Sequence, residues 1–142
     1  MNPTSQITSE LFSKRLAALC LRSGLASMPK DENDQHILLK SAVLLFKSAG
    51  PFSEKEINDQ LQTWLTQVCV IKLFDRVTLR RWLVDMGYLA RSSDGAAYQI
   101  HVPQPSRFEA DVDQIDILKT LQAAREEMER KKQAFLEQAK GK

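Results

Sequence analysis

The chain has 142 residues, enough for one compact domain with an appendage and too few for two full cores. Its 43% hydrophobic and 27% charged shares fit a globular protein, and 20 Lys+Arg against 18 Asp+Glu exclude a generally basic, histone-like binder. Any nucleic-acid surface must come from local clustering. No apolar run approaches the roughly 20 residues that a membrane helix needs, and Asn2, Thr4, Ser5, Gln6 and Glu10 leave no apolar signal-peptide segment, so the expectation is a cytoplasmic protein.

Ile7 to Ser23 reads as a first helix with Leu11, Phe12, Leu16, Leu19 and Cys20 on one side and Gly24 placed to stop it. A polar break at Lys30 to Asn33 follows Pro29. The second helix is expected from Asp31 or Asn33 to Ala49. Ile37, Leu38, Leu39, Ala42, Val43, Leu44, Leu45 and Phe46 give it a face broad enough to be covered on more than one side. His36 in its first turn reads as a surface or satisfied residue.

Gly50-Pro51 ends that helix. Ser53-Glu54-Lys55-Glu56 is a capping box, and Phe52 and Ile57 stand at hydrophobic-staple spacing. The third helix therefore runs from Glu54 to Gln67, with Ile57, Leu61, Trp64, Leu65 and Val68 inward. Val68 to Phe74 is apolar and β-branched, and reads equally as a short strand or a buried loop. Asp75 caps a fourth helix to Met86, with Leu79, Trp82, Leu83 and Met86 toward the core and Arg80, Arg81, Val77 and Val84 outward. Tyr88 to Arg91 and Ala97 to Val102 pair as strands around an Asp94-Gly95 turn, and Gly50 to Phe52 is a candidate third strand.

Pro103 and Pro105 mark an extended arm. A long last helix is expected from Asp111 or Asp113 to about Ala139, carrying Ile117, Leu121, Ala124, Met128 and Phe135. Glu126-Arg130 and Glu127-Lys131 are spaced for ion pairs. Its second half is too thinly apolar to hold alone, so a partner helix is expected, most simply in a homodimer built through the terminal helices.

Helices followed directly by a hairpin give the order of a winged helix-turn-helix. The fold class expected is mainly α with a small β-hairpin wing (α+β). Residues 1–30 form an N-terminal helix and linker, 31–102 the winged-helix domain, and 103–142 the proline-containing arm and long C-terminal helix. Such a domain lays its third helix in the major groove of double-stranded DNA, with the wing on the backbone. Arginine suits both guanine edges and phosphates. Arg80 and Arg81 lie on the outer half of that helix, Arg76 and Thr78 near its leading end, and Arg91 and Lys72 where phosphates would pass. Between Lys72 and Arg91 five basic residues face two acidic ones, a local excess in a nearly neutral chain. The competing reading is a clamp, with Arg81 paired to Asp85 and Arg80 to Glu56 or Asp59 on the preceding helix. A transcriptional regulator or regulator-associated module is therefore weighed against a protein-interaction scaffold that does not bind DNA.

An enzyme is not expected. The chain has no Gly-rich phosphate loop, G-x-S-x-G, C-x-x-C or H-E-x-x-H. Cys20, Cys69, His36 and His101 offer no ligand pair by spacing, so no metal or cofactor is expected, and both cysteines read as buried free thiols.

Several motifs recur together: Leu25-Ala26-Ser27-Met28-Pro29, Phe52 to Asn58, Thr78 to Asp85, Tyr88 to Arg91, and Asp94-Gly95 with Tyr98. In that order they resemble the bacterial domain-of-unknown-function family 2087, over roughly Gly24 to Ile100. The segment Thr66 to Phe74 is longer and more apolar here than the short polar link of that family. The resemblance implies a winged-helix-like domain of the kind found alone or attached to helix-turn-helix regulators. It brings no settled biochemical activity.

Overall fold

The computed structural model describes residues 6–21, 25–103 and 105–140. Gly24, expected to stop the first helix, lies outside them, as do Arg22 and Ser23. Helix α1 (Ser9–Cys20) begins at Thr8, whose side chain accepts from Leu11 N at 3.0 Å. Ile7 is not helical because its backbone is taken by the arm. Its N–H donates to Arg107 O at 2.6 Å and its carbonyl accepts from Glu109 N at 2.9 Å.

Helix α2 (Glu32–Val43) is capped by Asp31, and every residue from His36 to Val43 is buried. It stops short of Ala49 because the chain tightens: Leu45 N bonds Ala42 O and Phe46 N bonds Val43 O. That turn brings the Phe46 ring to 4.9 Å from Phe52.

Strand β1 (Phe52–Ser53) leads straight into α3 (Glu54–Thr63). Both halves of the capping box form: Glu56 N donates to Ser53 Oγ at 3.1 Å and Ser53 N to Glu56 Oε1 at 2.9 Å. The helix does not end at Thr63 but widens into one π turn, Trp64–Val68, closed by Cys69 N to Trp64 O at 3.0 Å. The link that follows is not a strand, and it turns at Lys72–Leu73, where Phe74 N bonds Ile71 O at 3.0 Å. It makes a one-residue parallel bridge, Leu25 to Ile71.

Helix α4 (Arg76–Asp85) is capped by Asp75, which accepts from Thr78 N at 2.8 Å. Leu79 and Leu83 are fully buried, while Trp82 is half-buried and stacks on Phe74. Strands β2 (Leu89–Arg91) and β3 (Ala97–Ile100) form the hairpin, with Gly95 at a φ of 74° in its turn. β1 pairs antiparallel with β3, Phe52 opposite Tyr98, so the three-stranded sheet has the order β1-β3-β2.

Beyond the arm a 3-10 turn, Ala110–Gln114, precedes helix α5 (Ile117–Lys140). Phe108, Val112, Ile117 and Leu121 are buried, but every residue from Arg125 to Lys140 is exposed. Arg130 pairs with Glu127, one residue nearer than the expected Glu126. The fold is thus mainly helical with a small antiparallel sheet. A buried polar chain crosses its centre: Trp64 Nε1 donates to Ser41 Oγ at 2.8 Å, and Ser41 Oγ to Leu38 O at 2.6 Å. Among the described residues no helix is long and apolar enough to cross a membrane.

Candidate functional site

Helix α4 and the hairpin meet around a shallow cavity of about 200 Å³, lined by Val77, Arg80, Arg81, Val84, Asp85, Arg91 and Tyr98. The outward face of α4 supplies five of these residues, β2 supplies Arg91 and β3 supplies Tyr98. Tyr98 is buried, and the guanidinium carbons of Arg80 and Arg91 lie 5.8 and 6.0 Å from its ring centre. Cations at that distance over an aromatic ring are attracted to its π face. Arg91 also lies across the hairpin turn. A Cβ at Gly95 would come within 2.7 Å of its guanidinium, so glycine serves there both for its positive φ and for this close approach.

The six residues singled out by sequence divide into groups. Arg80, Arg81 and Arg91 come together at the cavity; Lys72, Arg76 and Thr78 do not line it. Arg80 is largely covered, its side chain 18% exposed, and it reaches back to α3, donating to Asn58 Oδ1 at 2.6 Å with Glu54 3.7 Å away. Its partners are therefore Asn58 and Glu54, not Glu56 or Asp59. Arg81 is exposed and makes no ion pair with Asp85 or any other described residue, and the same holds for the exposed Arg76 and Lys72. Thr78 is committed to the cap. Its amide and side chain bond Asp75 and hold that carboxyl below its usual range.

Sequence reasoning missed Asn58, Glu54 and Tyr98 as the residues that fix the arginines. A usable signal existed: Glu54 and Asn58 are four apart and share one helical face, the geometry needed to receive one guanidinium.

A second polar cluster lies under the arm. His36 Nδ1 and the Tyr88 hydroxyl are 2.6 Å apart, Lys40 pairs with Asp113 at 2.6 Å, and Arg107 pairs with Glu32. Burial first, then the Arg107 charge, lowers the His36 pKa, and burial raises that of Tyr88. The enclosed space is only about 30 Å³. With its charges matched in pairs, this cluster holds the arm down. His101 takes a separate partner, Gly87 O at 3.0 Å, and no group of three metal-ligating side chains forms among the described residues.

A family model described as an uncharacterized protein conserved in bacteria (DUF2087) matches residues 24–100. The chain belongs to this family. The DUF2087 match runs through α2, α3, α4 and all three strands, so it takes in every residue lining the cavity and leaves α1 and α5 outside. No curated protein matches the chain, and no solved structure does.

Proposed function

We propose that this DUF2087 chain is a non-catalytic, cytoplasmic winged-helix protein that binds double-stranded DNA, as a transcriptional regulator or a module associated with one. The order α2, β1, α3, α4, β2, β3 and the sheet order β1-β3-β2 are those expected when a strand before the second helix pairs with a wing. The observation that carries the reading is the convergence of Arg80, Arg81 and Arg91 with Val77 and Val84 on one α4–hairpin cavity. Within this reading the residues take different tasks. Arg81 and Arg76 on α4 reach base edges or phosphates, and Lys72 and Arg91 meet the backbone. Arg80 is a positioning residue that sets α4 on α3, and Thr78 holds the helix start.

The exposed second half of α5, with Met128, Phe135 and Leu136 uncovered, supports homodimer formation through the terminal helices. Two copies would then present two α4 helices to successive major grooves. The alternative, an interaction scaffold without DNA, is favoured by one specific observation: Asp85 lines the same cavity and would repel a phosphate.

The test is retention of the purified chain on mixed genomic DNA fragments at low and moderate salt, with sequencing of what stays bound. Enrichment of one motif that falls steeply with salt and is lost in an Arg76→Ala, Arg81→Ala double variant supports DNA recognition. Folded protein that retains nothing at low salt excludes it and leaves the scaffold.

A further inference from the structure

The small cavity under the arm has a one-sided lining. Its polar side chains are His36 and Lys40 from α2, Tyr88 after α4, and Ser106 and Arg107 of the arm. Among the described residues no carboxylate lines it. Asp113 and Glu32, the partners of Lys40 and Arg107, stand outside its wall, so each ion pair gives the cavity its positive member. The Lys40 side chain is 9% exposed, and its ammonium lies 5.8 Å from the centre of the Phe108 ring, which also lines the space.

These donors are only partly used. Lys40 Nζ carries three N–H groups and has one oxygen partner, Asp113 Oδ1, among the described residues. Arg107 directs Nη1 to Asn33 and Nη2 to Glu32, and its Nε has no partner among the described residues. The Tyr88 hydroxyl finds its acceptor in His36 Nδ1, which places the ring proton of the neutral imidazole on Nε2. Ser106 Oγ is committed, donating to Phe108 O and accepting from Phe108 N. Burial first, then the Arg107 charge, lowers the His36 pKa, so positive potential reaches the ring. A water in this space would meet donors and no free side-chain acceptor for its own protons. An anion accepts from every donor and needs no acceptor.

We propose that the cavity binds one monatomic anion of the halide class, held between Lys40, His36 and Arg107, which pins the arm to α2. Size sets the class. A cavity must reach roughly 10–15 Å³ to hold one water, so about 30 Å³ admits a single small ion and shuts out phosphate and sulfate. None of these residues lines the α4 cavity, and the inference is independent of DNA binding.

The full chain is unfolded by heat at fixed pH and ionic strength while sodium gluconate, whose anion is too large for the cavity, is replaced stepwise by sodium chloride. An ion that binds only the folded chain raises Tm with its concentration, by about 3–8 °C at about ten times its dissociation constant. The Lys40→Met variant keeps the side-chain length and leaves an Asp113 side chain that is 58% exposed, so it should fold and lose the chloride-dependent rise. Wild-type crystals soaked in sodium bromide and measured at the bromine absorption edge should show an anomalous peak in the cavity, with no substitution needed. A Tm indifferent to the exchange, an equal rise in Lys40→Met, or a bromide map without that peak overturns the proposal. A bromide peak without chloride dependence in solution means an adventitious ion only, and overturns it as well.

Discussion

Arg80 on α4 donates to the side-chain oxygen of Asn58 on α3 at 2.6 Å, and Glu54, one helical turn before Asn58, stands 3.7 Å from the same guanidinium. This contact fixes how the two helices lie together, so the adjacent arginines are not equivalent. Arg80→Ala is expected to lower stability by about 1.5–3 kcal/mol, the range for hydrogen bonds to charged groups. Arg81→Ala, on an exposed and unpaired side chain, should stay within about 0.5 kcal/mol. Urea denaturation of the two single variants measures this, and equal losses would sink the distinction.

The Trp64 indole has one acceptor, Ser41 Oγ, in a region where both residues are fully buried. Ser41→Ala leaves that N–H without a partner and should cost about 1–3 kcal/mol. Adding Trp64→Phe removes the orphaned donor, so the double variant should lose less than the sum of the single ones. Additive losses in a double-mutant cycle would show that the bond contributes little.

His36 gives the fold a pH dependence of known sign. Its pKa is lowered from 6.5 by burial and then by Arg107, so the unfolded chain binds the proton more readily than the folded one. Its contribution is fully present above about pH 6.5 and is lost as pH falls through the depressed folded value. His36→Gln, which keeps a polar partner for Tyr88, should flatten the decline in urea midpoint as pH falls below about 6.5. Asp75 and Asp94 also have lowered pKa values, but from 3.8, so their losses come at more acid pH. A wild-type midpoint that is flat over the upper window contradicts the assignment.

The last helix divides at Arg125. Leu121 is fully buried, whereas every residue from Arg125 to Lys140 is exposed. A chain ended at Glu126 should unfold within about 0.5 kcal/mol of the full chain, while Leu121→Ala should cost about 2–5 kcal/mol. Under the dimer proposal the shortened chain also sediments as a monomer. If it keeps the mass of the full chain, association lies elsewhere.

What could be read from sequence was mostly local. The Ser53–Glu56 capping box, the Asp75 cap and the turn at Asp94-Gly95 are short-range rules written in adjacent residues, and each stands as expected. The π turn at Trp64–Val68 was hidden because one widened turn leaves the inward positions Leu61, Trp64, Leu65 and Val68 unchanged. The early end of α2 was masked by the continuing apolar run of Leu44, Leu45 and Phe46, whose Phe46 turns to pack on Phe52. At the site, the residue types on the outer face of α4 were legible. Which turn of α3 meets Arg80 was not, because spacing along one helix says nothing about how another crosses it.

The two tryptophans provide a pair of optical reporters. Trp64 is sealed in the core and bonded to Ser41, whereas Trp82 is half-buried on α4 next to Arg81 and stacks on Phe74. Emission from Trp64 follows the integrity of the whole fold, and emission from Trp82 follows what approaches α4. In a Trp64→Phe background, a quench on adding a ligand reports on that helix alone. In a Trp82→Phe background, the same addition should leave the signal unchanged unless the core itself opens.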